Sequence, residues 1–167
     1  TKNIPVDPSI KNSIPILRSI NEREGIEFTW SIWLFIDRPH EAPDSGTKYY
    51  HIFSKGTKGI ISREKDFDAA PGLYIKSKKT NTGTKNTLEN SLVAVMNTYK
   101  GLGDAGGLID ENVVIKNIPI RKWFHVALRL ENKNFDSYVN GILHTRKVLN
   151  SLPRQNYGDV HVSEKSK

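Results

Sequence analysis

"KWFHVALRLENKNFDSYVNGILHTRKVL", residues 122–149, alternates apolar and polar residues, reverses at Asn140-Gly141, and alternates again. Val126, Leu128 and Leu130 fall on one side of an extended chain, and Ala127, Arg129 and Glu131 on the other. That period of two belongs to a strand with one buried face. "ENKN" (131–134) supplies a first reversal, and Asn140-Gly141 supplies a second. A two-residue type I′ turn needs positive φ at both central positions, which Asn and Gly tolerate best. The stretch therefore predicts strands at 123–130, 135–140 and 142–148, joined as a three-stranded antiparallel meander. Each of its features answers to the needs of a sheet, so it reads as wall, and the search for function is directed to the loops.

The same pattern extends outward from this meander. "FTWSIWLFI" (28–36) puts Phe28, Trp30, Ile32, Leu34 and Ile36 on one face and Thr29, Ser31, Trp33 and Phe35 on the other, which predicts a strand buried on both faces or nearly so. Shorter strands are predicted at 49–56, 72–77, 91–99 and 112–117, each bounded by Gly, Pro or Asn. No helical period persists for about 11 residues or more. Residues 1–13, with two prolines and no periodicity, read as an N-terminal arm or linker. Residues 14–167 read as one domain. Many short strands in one cysteine-free domain predict an all-β, antiparallel two-sheet sandwich or jelly roll. The loops to search are then 37–48, 56–71, 77–90 and 100–111.

At 167 residues without a cysteine, the chain must be stabilised by packing rather than by disulfides or a thiolate metal site. No run approaches the roughly 18–20 apolar residues that cross a bilayer as a helix, so a membrane enters only through a segment outside this sequence. The net charge of +7 is uneven. Residues 45–100 hold 10 basic and 4 acidic side chains, against 5 and 7 in residues 1–44. The lysines of "GLYIKSKKTNTGTK" (72–85) carry much of this excess, in a Gly/Thr/Asn-rich context without interleaved aromatics. That counts against a single-strand nucleic-acid groove and for a solvated basic loop.

Tests for chemistry leave little. Gly101, Gly103 and Gly106 spell G-x-G-x-x-G, but the strand-like "LIDENVVIKNIP" follows where a dinucleotide fingerprint needs a helix N-terminus, so no cofactor is expected. Glu64, Asp66 and Asp68 space three carboxylates at i, i+2 and i+4, a pattern that sandwich glycosidases use to flank a glycosidic bond. Here Lys65 and Phe67 intervene and "AAPG" follows, so the segment reads as a loop, with a cation site as an alternative. His40, His51, His125, His144 and His161 lack metal-ligand spacing, and neither a catalytic nor a metal set is expected. Of the three tryptophans, Trp30 and Trp33 lie on opposite faces of one strand, so at most one meets a ligand. Trp123 reads as a core plug rather than a sugar platform.

"EFTWSIWLFID" (27–37), "HIFSKG" (51–56) and "WFHVALRLENKNFDSYVNG" (123–141) resemble the laminin-G-like, concanavalin A-like jelly roll. With "APGLYI" (70–75), "VAVMNTY" (93–99) and "LPRQNYGDVHV" (152–162), they are similar, from about residue 17 to 163, to domains encoded by large DNA viruses of algae and protists. The resemblance implies a non-enzymatic structural module, a minor capsid or virion-surface protein whose partners are other capsid proteins. The alternative is a lectin-like module recognising host carbohydrate, and third comes a degenerate glycosidase resting on Glu64, Asp66 and Asp68. Members of the family continue past a strand like "YGDVHV" with a Gly-rich closing strand. In its place here an arm, a partner chain or further sequence is expected. The family's calcium loops have no residue-by-residue counterpart.

Overall fold

The computed structural model describes residues 2–4, 11–12, 14, 26–42, 46–56, 69–82, 85–99 and 108–162. Among them there is no helix. Ten strands follow in order: β1 (Lys2–Ile4), β2 (Glu27–Phe35), β3 (Thr47–Gly56), β4 (Ala69–Thr82), β5 (Lys85–Tyr99), β6 (Leu108–Ile115), β7 (Trp123–Glu131), β8 (Asn134–Val139), β9 (Ile142–Val148) and β10 (Val160–Val162). They form two antiparallel sheets, one of six strands ordered β1-β10-β3-β4-β5-β6 and one of four ordered β2-β7-β8-β9. The chain is all-β and arranged as a two-sheet sandwich.

The meander forms as its alternation requires. Asn140 at φ 51° and Gly141 at φ 80° make the two-residue turn that pairs Val139 with Ile142, and Asn132 at φ 55° opens the turn between Glu131 and Asn134. The inward residues Phe124, Val126, Leu128, Leu130 and Phe135 meet Leu73, Ile75, Leu92, Ala94, Met96, Val113 and Ile115 of the six-stranded sheet in one buried core. Each of these side chains except Ala94 contributes roughly 1.5–3 kcal/mol by leaving water. Trp30 joins them, stacked on Phe53 at 5.6 Å between ring centroids.

One buried carboxylate ties the sheets together. Glu111 on β6 accepts hydrogen bonds from the backbone N–H of Asn150 (2.8 Å) and Ser151 (3.3 Å), from Asn150 Nδ2 (3.1 Å) and from Thr98 Oγ1 (3.3 Å), with Lys147 Nζ of β9 at 3.3 Å. Removed from water, a carboxylate must be satisfied in this way or it costs several kcal/mol. The segment after β9 is thereby pinned across the end of the six-stranded sheet, where Tyr99 N–H donates to Leu152 O and Arg154 N–H to Asn97 O. At the opposite edge β10 inserts between β3 and β1. Its lead-in residue Gly158 sits so close to Gly56 that a Cβ there would stand 2.6 Å from the Gly56 carbonyl oxygen.

Three expectations need correction. Residues 77–90 are not a loop: apart from 83–84, which lie outside the described residues, they continue β4 and β5 as a hairpin. Its run of Lys, Thr and Asn carries no apolar period to mark it, and cross-strand pairing from Ser77–Asn90 to Thr82–Lys85 defines it. The strand at 28–36 is not buried on both sides: Thr29, Ser31, Trp33 and Phe35 are exposed, because no described segment packs over that face of the four-stranded sheet. Trp123 is no core plug, standing 66% exposed on the same side.

Candidate functional site

The outer face of the four-stranded sheet is built by β2 and β7. Their register sets Trp33 opposite His125 and Phe35 opposite Trp123. Directly opposed side chains in an antiparallel pair stand about 4.5–5.5 Å apart at Cβ, close enough for rings to meet. They do: the Trp33 and His125 rings lie 5.2 Å apart at 51°, and the Phe35 and Trp123 rings 5.5 Å apart at 46°. Trp33 is 63% exposed and Phe35 47%. Two strands away, Leu143 pairs with Tyr138, whose strand neighbour on β7 is Ala127, and it extends the apolar surface at 44% exposure.

Polar groups frame this surface. At the end where β2 leaves the sheet, Asp37 and Arg121 are exposed and loosely paired at 3.9 Å, and Arg121 Nε also donates to the Asp37 carbonyl at 3.3 Å. The hairpin tip is clamped beside His125, whose N–H donates to Asn140 Oδ1 while Asn140 N–H donates to the His125 carbonyl. Further along the face, Asp136 has no exposed side-chain surface. It receives Arg146 Nε and Nη2, both at 2.8 Å, with Arg129 Nη1 at 3.6 Å. The Arg146 hydrogen bond first, and then the two guanidinium charges, hold its carboxyl below the usual carboxylate range despite burial. Arg129 is held in turn by Glu131 at 2.6 Å. The charges here are mutually satisfied, so the aromatic end is what the face leaves unmatched.

The outer face of the six-stranded sheet contrasts with it. Tyr49, Ala69, Tyr74, Val93 and Val95 form a second buried cluster there. Beside them His51 Nε2 shares a hydrogen bond of 2.9 Å with Ser54 Oγ, and the His51 ring meets Tyr74 edge-on at 5.4 Å. A serine–histidine contact is half of a nucleophile–base pair. Ser54 is only 5% exposed, so its hydroxyl is largely covered, while His51 also borders the cavity beside the 37–42 segment. Burial first, and the neighbouring His161 second, lower the pKa of His51 to about 4.

A cavity of about 390 Å³ opens beside the 37–42 segment, lined by Leu34, Ile36, Asp37, Arg38, His40 and Ile52 among others. His40 is tied there by its backbone: its N–H donates to Asn90 Oδ1, and its carbonyl accepts Ser77 Oγ and Asn90 Nδ2. Burial, then Arg38, depresses the His40 pKa.

Glu64, Asp66 and Asp68 lie outside the described residues, as do Gly101, Gly103 and Gly106. Among the described residues no group of three His, Cys, Asp or Glu side chains is placed to hold a metal ion, and no helix is long and apolar enough to cross a membrane. What sequence reasoning missed is the aromatic face itself. The alternation in β2 places Trp33 and Phe35 on the side opposite Trp30, but it carries no signal of whether that side is covered. No protein-family model, curated protein or solved structure matches the chain.

Proposed function

We propose that this chain is a non-enzymatic binding module of a large DNA virus particle, a minor capsid or surface protein, and that it grips a neighbouring virion protein through the outer face of its four-stranded sheet. The observation that carries the reading is the exposed set Trp33, Phe35 and Trp123, arranged in cross-strand ring contacts. Each aromatic side chain removes about 150–250 Å² from water when fully covered. Three adjacent ones therefore form an anchor of the kind that dominates protein interfaces. Exposed tryptophans contribute little to the fold, so a contact role explains their placement where a packing role does not. The particle setting rests on the resemblance of "EFTWSIWLFID" and "WFHVALRLENKNFDSYVNG" to concanavalin A-like, laminin-G-like jelly rolls of such viruses, and the two-sheet sandwich is compatible with that topology.

A lectin-like role is the second reading. Asp37 and Arg121 flank the Phe35–Trp123 pair with exposed hydrogen-bonding groups, as a sugar laid on an aromatic ring requires.

The test is particle incorporation. Replacing Trp33 and Trp123 together by Ser is expected to leave the domain folded and to abolish its recovery in purified particles. Absence of the unaltered protein from particles, or full incorporation of the double variant, overturns the reading. Binding to a glycan array that disappears in the double variant transfers the site to carbohydrate.

A further inference from the structure

A second surface lies at the far end of the six-stranded sheet. β3 begins at Thr47, opposite Lys78, and β6 ends at Ile115, opposite Leu92. β4 and β5 run on beyond both, pairing Lys79 with Leu88, Thr80 with Thr87, Asn81 with Asn86 and Thr82 with Lys85. The result is a two-stranded ribbon to which, among the described residues, no third strand pairs beyond Lys78 and Leu92. Its base is anchored, since Asn90 and Ser77 hold the His40 backbone. From Lys85 to Ser91, β5 has no ladder partner on its β6 side among the described residues, which leaves a row of backbone donors and acceptors seven residues long.

We infer that this ribbon captures an acidic, extended peptide segment, which adds as a strand to the free side of β5 between Lys85 and Ser91. Three observations favour a peptide. An open ladder is matched by another backbone at the usual strand spacing and by little else. The hairpin carries Lys76, Lys78, Lys79 and Lys85 against a single acid, Glu89, within the part of the sequence that holds the basic excess. Those lysines discourage edge-to-edge pairing with a second copy through like charge, the familiar protection of an edge strand, while they attract a strand of opposite sign. Leu88, 45% exposed and flanked by the exposed Thr87 and Glu89, offers one apolar contact for an alternate side chain. Among the described residues no aromatic lies at 76–91, so a stacking platform for nucleic-acid bases is lacking. This surface is separate from the aromatic face, and its test is independent of that one.

The probe is a ten-residue peptide alternating Glu and Val, titrated against the whole chain and read by amide hydrogen exchange and fluorescence anisotropy. Binding should slow exchange of backbone amides within Lys85–Ser91. A basic Lys/Val peptide, and the acidic peptide N-methylated at alternate residues, should each bind at least tenfold more weakly. The triple variant Lys78→Glu, Lys79→Glu, Lys85→Glu should lose at least tenfold in affinity with an unchanged unfolding midpoint. No binding of the acidic peptide overturns the inference. So does equal binding of the N-methylated peptide, which removes the ladder, or binding of a twenty-nucleotide oligothymidylate with none of the peptide, which makes the ribbon a polyanion site.

Discussion

The two outer faces of this sandwich are built from similar residues and have opposite fates. On the six-stranded sheet Tyr49, Tyr74, Val93 and Val95 are buried in a second cluster, with Tyr74 only 2% exposed. On the four-stranded sheet Trp33, Phe35 and Trp123 stand in water. Apolar surface of that size is uncommon on a monomer unless it is used. The first face is part of the fold's stability, and the second is available for binding at little cost to it.

Truncation separates the two faces most sharply. Tyr74→Ala should destabilise the domain by about 3 kcal/mol or more, as loss of a buried aromatic does, read as a lower urea midpoint. A much smaller loss would mean that the six-stranded face is open after all. Next comes Asp136, a buried carboxylate on the same face as the exposed aromatics. Asp136→Asn keeps the shape but discards the charge that Arg146 and Arg129 embrace, and should cost about 2 kcal/mol. Its stability contribution is present above the ordinary carboxylate pKa and is lost as the pH falls through the lowered folded value.

Acid should also weaken the buried face selectively. His51 stays neutral in the fold down to about pH 4, whereas the unfolded chain takes up its proton near the ordinary value of 6.5. Stability is therefore full above 6.5 and drains as the pH falls from 6.5 towards 4, because the unfolded state binds the extra proton. With the ring only partly buried, the loss is on the order of 1–2 kcal/mol at about 1.4 kcal/mol per pKa unit. Urea titrations at pH 7 and pH 4.5 should show this loss, and His51→Gln should remove that portion of the pH dependence. An unchanged dependence in the variant would contradict it. Smallest of all, Trp33→Ser should move stability by less than about 1 kcal/mol, the worth of one cross-strand pair.

The meander was legible because each inward residue from Val126 to Leu130 has a polar or small neighbour and because Asn140-Gly141 leaves little choice of turn. The all-β class followed from the same period of two. The ribbon at 79–88 was not legible: a run of Lys, Thr and Asn gives no apolar signal, and its strands exist because cross-strand hydrogen bonds extend a ladder begun in the core. Neither was the exposure of Trp33 and Trp123. Alternation tells which residues share a face, but whether a layer covers that face is decided by segments distant in sequence. β2, apolar on both sides, looks the same whether its second face is covered or not. For that reason the search for function went to loops, while the aromatic surface lay on the wall. Glu111 was equally hidden, since its partners Lys147, Asn150 and Ser151 follow about 40 residues later.

The most direct test of the proposed division between faces is a paired measurement on the Trp33→Ser, Trp123→Ser double variant: its affinity for immobilised particle protein and its urea unfolding midpoint, both beside the unaltered domain. The expected result is at least a tenfold loss of affinity, about 1.4 kcal/mol, with the midpoint nearly unchanged. Undiminished binding, or a loss of binding matched by a collapse in stability like that of Tyr74→Ala, would contradict the assignment of the exposed aromatic face to recognition.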